Sequence, residues 1–435
     1  MKKLKKVFAA LICVAMCCAF AFAQSSKTST STSGLFDTDI DNFMDVTGWS
    51  SVQPENLFLM ADVKGLGVAK QFEKLYVSAY FGGYFDEYSS EVTAGTADST
   101  YQFHNYDFGL LFGFSNMAIK AYFSPSVTSS ASGVSHVYVD SVRTVRTDDY
   151  AFEAGLQYGI STNLAGKPFD QSITIEYAPN VDYSYISQIS GDATVTTELL
   201  TSVYSLNIGS NSSWKISEGN GFTNTAKLAF EGDFGIIPQT KSNSLETCTG
   251  DYEYNFELVP AWVTKYEKDW FKIAIKSYLS MQYYTAGGAN YVTKDGVKQY
   301  TEVRVIDNNF GIVPQFDIGA QFQIAKPVVF NVGTSLDLPA FLWTNARTLT
   351  RNASGAVLGD AFDKKFYINS NQASSTIKFV SGFTFDIGKY VVVDTSYNIL
   401  EQFNGFYWGP ASSNFWETVN SILFTYMSIG VSVKF

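Results

Sequence analysis

The sequence predicts an all-β fold: a transmembrane antiparallel up-and-down β-barrel of about 16 strands, or 14 as the alternative, with short turns at one end and long loops at the other. Apolar residues alternate with polar ones in segments paired about short turns. Hydrophobic residues make up 46% of the chain, and aromatic and charged residues 16% each, whereas soluble proteins carry about 25% charged residues. After residue 23 no run approaches about 18 apolar residues, so a helical crossing is excluded.

The first 23 residues have the organisation of a secretory signal peptide. Four lysines within the first six residues precede an uncharged apolar stretch, and Ala21-Phe22-Ala23 offers a cleavage site between small residues. We expect cleavage after Ala23, with an uncleaved anchor or lipidation at Cys17 or Cys18 as the alternatives. The mature chain would then comprise a lead-in or partial plug at residues 24–54 and the barrel at residues 55–435.

The strand count depends on the first apolar segment after the lead-in. Alternation gives about fifteen strands up to the C-terminus, but closure of a single-chain bacterial barrel requires an even number. Splitting the first segment into a hairpin of residues 56–63 and 66–72 about Lys64-Gly65 gives about 16 strands. In the alternative with about 14 strands, residues 25–54 would lie inside the lumen as a plug.

The clearest hairpin lies on either side of Asn116. Before this turn, Phe108, Leu110 and Phe112 share one face, while glycines and polar residues share the other. In a soluble sandwich the polar faces would be rich in Lys and Glu, but here they mix Gly, Ser, Tyr, Gln and single charges. We therefore expect the polar faces to line a water-filled or partly plugged lumen and the Phe-rich faces to contact lipid.

The inward positions carry the candidate solute-facing side chains. Alternation predicts that the lumen is lined by Asp107, Lys120, Glu153, Gln157, Glu176, Lys227, Glu231, Asp233, Glu253, Glu257, Lys272, Lys276, Asp317, Gln321, Asp337, Lys378 and Asp394. Carboxylates outnumber lysines in this set, which predicts a weak preference for cations. Internal ion pairs that fill a narrow barrel are the alternative interpretation of the same residues.

Longer polar stretches separate the hairpins and predict long extracellular loops opposite short periplasmic turns. Residues 126–149 and 338–374 are two of these stretches. Aromatic belts are predicted near the strand ends from Tyr84, Tyr88, Tyr101, Tyr150, Trp262, Tyr266, Trp270 and Tyr283.

Catalytic, metal and cofactor sites are not predicted. The chain has 2 histidines, and the carboxylate of Asp107 points to the opposite face from His104. The acidic run "DTDIDNFMD", which ends at Asp45, has calcium-like spacing, but Asn42 replaces the glycine that an EF-hand requires. We expect a solvated acidic lead-in there. Arginines are scarce and form no basic stripe, which excludes nucleic acid as a partner.

The last ten residues, "YMSIGVSVKF", alternate strictly and end on Phe435. This terminal strand resembles that of bacterial outer-membrane β-barrel proteins, whose final aromatic residue is the signal read by the barrel assembly machinery. The resemblance implies a location in the cell outer membrane, with its lipid and that machinery as partners. It also implies that the last strand pairs with the first.

Three further stretches carry weaker resemblances. "FDTDIDNFMDV" and "KLYVSAYFGGYF" are similar to uncharacterised spirochaete outer-membrane barrels, and "GLGVA" resembles, more distantly, the fatty-acid transporter barrels. The polar inward positions predict a porin-like channel for small solutes, and the lack of a candidate catalytic site predicts that it is not an enzyme. One alternative is a gated transporter of hydrophobic solutes with an N-terminal plug, and another is a surface-exposed adhesin or structural barrel that binds a partner through its extracellular loops.

Overall fold

The structure of the chain is a computed structural model. It describes residues 43–51, 57–62, 65–90, 98–136, 141–190, 193–242, 245–248, 251–288, 291–294, 297–300, 303–352, 354–369, 378–387, 391–398 and 427–434. Nearly all of them form β-strands of one sheet, apart from a 3₁₀ turn at Trp49–Ser51. Within these ranges no helix is long and apolar enough to span a membrane. The predicted signal peptide and Phe435 lie outside them.

The strands are numbered in chain order. Their bounds are β1 (Phe58–Asp62), β2 (Gly65–Phe72), β3 (Leu75–Ser90), β4 (Asp98–Phe114), β5 (Met117–His136), β6 (Ser141–Leu164), β7 (Lys167–Ser190), β8 (Ala193–Gly219), β9 (Phe222–Ser242), β10 (Leu245–Cys248), β11 (Asp251–Lys268), β12 (Phe271–Gly287), β13 (Tyr291–Lys294), β14 (Val297–Tyr300), β15 (Val303–Ala325), β16 (Val328–Asp337), β17 (Ala340–Arg351), β18 (Val357–Asn369), β19 (Lys378–Ile387), β20 (Val391–Asn398) and β21 (Met427–Lys434).

Sixteen of the described strands form the antiparallel barrel sheet. Each strand from β1 to β9 pairs with the next, and the order continues through β11, β12, β15, β16, β19, β20 and β21. β21 pairs back onto β1, with Lys434 opposite Phe58. The predicted barrel is confirmed, including its short first hairpin, because β1 and β2 pair directly.

The remaining described strands extend this ring. The second half of β15 pairs with β16, and its first half, residues 303–312, pairs with β17. β18 in turn pairs with β17. β10 pairs with β9 and β13, and β13 with β14. Two polar stretches predicted as loops are therefore largely strand: residues 338–374 contain β17 and β18, and residues 126–149 contain the ends of β5 and β6. Their Ser, Thr and Val residues suit extended backbone whose polar groups pair across the ladder.

At one end of the barrel, the turn end, tight hairpin turns connect successive strands. Glu73, Ser115, Ala165 and Asn220 each have a positive φ at the first turn position, as in the mirror-image turns that match the twist of paired strands. The turns at this end are Glu73-Lys74, Ser115-Asn116, Ala165-Gly166, Asn220-Gly221, Asp269-Trp270 and Lys326-Pro327.

The opposite end, the loop end, is uneven in height. Strands β5 to β8 are 20, 24, 24 and 27 residues long, whereas about 9–11 residues suffice to cross a bilayer. Measured from the turn end, the upper parts of these strands therefore extend well beyond the thickness of a membrane.

The two faces of the wall differ in chemistry. On β4, Phe112 is 41% exposed on the outer face, whereas its neighbour Leu111, on the inner face, is fully buried. Exposed aromatic residues lie toward both ends of the outer face, among them Tyr101 and Tyr283 near the loop end and Trp270 near the turn end. Tyr150 and Trp262, predicted at strand ends, lie instead in the interiors of β6 and β11. The apolar face is thus outside, as lipid contact requires.

Candidate functional site in the barrel lumen

Residues 43–51, the inner segment, lie against the inner face of the wall. A Cβ atom added to Gly67 would lie 2.6 Å from the Phe43 ring, and one added to Gly113 would lie 2.6 Å from the Trp49 ring. The outward neighbours of these glycines, Val68 and Phe112, are exposed on the other side of the sheet. Likewise, a Cβ atom added to Gly109 would lie 2.7 Å from the Met44 side chain, and one added to Gly159 would lie 2.5 Å from the Val46 carbonyl oxygen.

Hydrogen bonds and aromatic contacts hold the inner segment in place. The carbonyl oxygen of Phe43 accepts hydrogen bonds from the hydroxyls of Tyr76 at 3.0 Å and Ser78 at 2.8 Å. The Trp49 ring lies 5.3 Å from the Tyr76 ring, and the Phe43 ring lies 5.8 Å from that of Phe58. The resulting hydrophobic cluster inside the barrel contains Phe43, Val46, Trp49, Phe58, Met60, Ala69, Tyr76, Leu111 and Ala118.

Asp45 shapes the polar side of the inner segment. One carboxylate oxygen accepts hydrogen bonds from the Thr47 amide at 2.6 Å, the Thr47 hydroxyl at 2.8 Å and the Gly48 amide at 3.0 Å. The Trp49 amide donates to the Asp45 carbonyl at 3.0 Å, so the side chain caps one helical turn. Asp45, the last acid of the predicted solvated lead-in, is solvent-exposed and borders a cavity of the lumen, and the earlier acids of that run lie outside the described residues.

This lower cavity of about 350 Å³ lies beside the inner segment near the turn end. Lys227, Lys265 and Lys276 line it together with Asp45 and Asp170. Lys276 lies 3.7 Å from Asp317. The other polar residues that line the lower cavity include Gln157, Ser172, Asn211, Ser212 and Ser213.

A second, upper cavity of about 230 Å³ lies further toward the loop end. The two cavities share the lining residues Asn211, Ala229 and Val259, so they lie next to each other. The upper cavity is lined by three carboxylates, those of Glu176, Glu231 and Glu257. Its described lining residues include no lysine or arginine.

Hydrogen bonds fix two of these three carboxylates. Glu176 accepts hydrogen bonds from the Tyr122 hydroxyl and from the Asn207 amide, the latter at 2.8 Å. Glu257 accepts from the Ser280 hydroxyl and from the Gln282 amide. The side-chain oxygen of Asn207 is buried and has no hydrogen-bond partner in the described part of the chain. The upper cavity therefore presents acceptors that lack donors.

The predicted lumen residues fall into three groups. Six line the two cavities: Gln157, Glu176, Lys227, Glu231, Glu257 and Lys276. Others occupy inward strand positions outside these cavities, namely Asp107, Lys120, Glu153, Asp233, Glu253, Lys272, Asp317 and Gln321. The side chains of the last three, Asp337, Lys378 and Asp394, lie outside what the structure describes.

Sequence reasoning missed several lining residues. Lys265 follows directly from the alternation on β11, since it lies two residues beyond the inward Val263 and three beyond the outward Trp262. Asp45 and Thr47 carry no comparable signal, because their place in the lumen arises from contacts with strands far away in the sequence.

No known protein family and no curated protein matches the sequence of this chain. Among solved structures, the ferric yersiniabactin uptake receptor FyuA from Yersinia pestis is similar with a TM-score of 0.36 at 7% identity, over 85% of this chain and 69% of that one. The alcaligin outer membrane receptor FauA from Bordetella pertussis gives 0.25 at 8% identity, over 87% and 75%. The copper transporter OprC gives 0.28 at 8%, over 87% and 80%. These similarities are too low to support any conclusion about function.

Proposed function

We propose that the protein is an outer-membrane channel for small polar solutes, with the inner segment restricting its lumen. The observation that carries this proposal is the inversion of polarity across the wall, with exposed apolar side chains outside and charged cavities inside. A barrel satisfies its backbone hydrogen bonds within the sheet, which allows such an outer face to contact lipid. The predicted signal peptide supports export from the cytoplasm.

The lining of the lumen favours polar over hydrophobic solutes. Residues with hydroxyl, amide or charged side chains are the majority of those lining both cavities, and desolvating these groups around an apolar molecule would be unfavourable. The carboxylates of the upper cavity also favour cations over anions, because fixed charge in a pore sets its selectivity. Passage of this kind requires neither a catalytic group nor a cofactor.

The inner segment supports a role in restricting flow. It packs on one side of the lumen and leaves the cavities beside it, so it narrows the passage in the described region. Phe43, Val46 and Trp49 are buried against the wall in the hydrophobic cluster, and the Phe43 carbonyl accepts two side-chain hydrogen bonds. Contacts of this kind hold the segment in the lumen as a fixed restriction.

Solute uptake into proteoliposomes tests the proposal. Vesicles that contain the refolded protein should swell in an isosmotic pentose solution, while vesicles without it should not. In planar bilayers under a salt gradient, the reversal potential should show a modest preference for cations. Absence of swelling and of any conductance would contradict the channel, whereas a preference for anions would contradict only its predicted selectivity.

A further inference from the structure

Charge in the lumen is separated by height along individual strands. β9 carries Lys227 in the lower cavity and Glu231 in the upper one, and β11 carries Lys265 below and Glu257 above. On these two strands lysines therefore lie near the turn end and carboxylates lie further toward the loop end. The lower cavity also contains Asp45 and Asp170, from the inner segment and β7, but its lysines are the cationic groups that a solute spanning both cavities would meet.

We propose that the lower and upper cavities, which lie next to each other, form one binding site for a zwitterionic solute of short-peptide size. Its ammonium group would lie in the upper cavity and its carboxylate in the lower cavity. This inference rests on the proposed channel function and names the class of solute that the channel takes.

The upper cavity has the chemistry to bind an ammonium group. Glu231 lines this cavity and has no ion pair or hydrogen bond within the described residues. An ammonium group offers three donors and no acceptor. It would pair with Glu231 and balance the negative charge that Glu176, Glu231 and Glu257 place around the cavity.

The lower cavity has the complementary chemistry. Lys227 makes no ion pair or hydrogen bond in the part of the chain that the structure describes. Lys276 forms an ion pair with Asp317, with 3.7 Å between its Nζ and the Asp317 Oδ2. The hydroxyls of Ser212 and Ser213 supply further donors nearby. A carboxylate placed there would pair with Lys227 and accept hydrogen bonds from these hydroxyls.

The spacing of the charges sets the size of the solute. Lys227 and Glu231 are separated by four residues along β9, or about 13 Å at about 3.3 Å per residue. A single amino acid cannot span such a distance, whereas an extended tripeptide is about 10 Å long. The side chains of Lys227 and Glu231 can reach inward to bridge the remainder.

Calorimetric titration of the refolded full-length protein in detergent with three peptides tests the assignment. Trialanine should bind, and capping either end, as N-acetyl-trialanine or as trialanine amide, should weaken binding about tenfold through loss of one charged pair. Equal affinity for all three peptides, or no binding of any, would overturn the proposal. Because the titration does not depend on conductance, failure here leaves the channel function to its own test.

Two substitutions assign the ends of the peptide. Glu231→Gln should weaken trialanine and trialanine amide but leave N-acetyl-trialanine nearly unchanged. Lys227→Gln should weaken trialanine and N-acetyl-trialanine but leave the amide nearly unchanged. Lys215→Gln is the control, since Lys215 pairs with Glu218 at 3.1 Å near the turn end and lines neither cavity. The opposite pattern, or an equal effect of all three variants, would refute the orientation.

Discussion

At the scale of single residues, the inner segment can pack against the wall only because glycines there have no side chain. Gly67, Gly109, Gly113 and Gly159 leave room for side chains that come from outside the sheet. The alternation of β4 predicts that Gly109 and Gly113 face inward, but it cannot predict which side chain fills the space above them. That information lies in long-range packing, because Trp49 and Gly113 are distant in sequence and each is locally unremarkable.

Gly113→Ala should displace the inner segment. The added Cβ would lie 2.6 Å from the Trp49 ring, and the segment should yield because the wall strand is hydrogen-bonded on both edges. Chymotrypsin should then cleave after Phe43 or Trp49 at least several-fold faster than in the unmodified protein, as followed by mass spectrometry. Gly219→Ala, where no atom lies within 4 Å, serves as the control. Equal cleavage rates in both variants would contradict the contact.

Asp148 supplies a pH-dependent contribution at the loop end, beyond Tyr150 and outside the membrane-crossing part of β6. A hydrogen bond from Ser129 at 2.6 Å, helped by Arg146 at 2.8 Å, lowers the pKa of its carboxyl group. A carboxylate with a lowered folded pKa stabilises the fold above its unfolded pKa of about 3.9 and loses this effect as the pH falls through the folded value.

Asp148→Asn should therefore lower the free energy of unfolding by about 1 kcal/mol near neutral pH, a modest value because Arg146 is largely exposed. Thermal unfolding of the two proteins in detergent at several pH values measures the difference. It should shrink as the pH falls below about 4, and a difference that stays constant across this range would refute the assignment.

At the scale of elements, the ring and its extensions follow different rules. Alternation and turn chemistry predict the ring strands and the split first hairpin, since these signals are local and each strand buries one apolar face in lipid. The same signals did not predict the strands within residues 126–149 and 338–374. Residues 126–149 are largely polar on both faces, so the backbone pairing with a neighbouring strand decides their structure. In residues 338–374, Phe341, Trp343, Phe366 and Ile368 do form an apolar stripe on one face of β17 and β18, but charged residues around it give the stretch the composition of a loop.

The hairpin of β17 and β18 should be dispensable for folding. It pairs with the upper part of β15, whereas the ring passes from β16 directly to β19, with Ser335 opposite Lys378. Replacing residues 338–377 by Asn-Gly should therefore leave a folded barrel that shifts its gel mobility only after heating. Failure of this variant to refold, under conditions in which the full chain refolds, would show that the hairpin belongs to the core of the fold.

At the scale of the whole molecule, the protein combines a wall with an apolar outer face, an inner segment and a lumen lined by two charged cavities. The wall and most inward charges could be predicted from the sequence, because alternation assigns each strand residue to a face. The grouping of Lys227, Lys276 and Asp45 around one cavity could not, since it depends on how far each strand is offset from the next and on where residues 43–51 pack.

Unit conductance in planar bilayers, compared between the full-length protein and a variant that lacks residues 43–51, tests whether the protein is a channel that its inner segment restricts. The full-length protein should form small, well-defined conductance steps, and the deletion should raise them several-fold because it clears part of the lumen beside the lower cavity. The heat-dependent gel shift should be kept in both proteins as evidence of folding. Equal conductance of the two folded proteins, or none in either, would contradict a channel restricted by its inner segment.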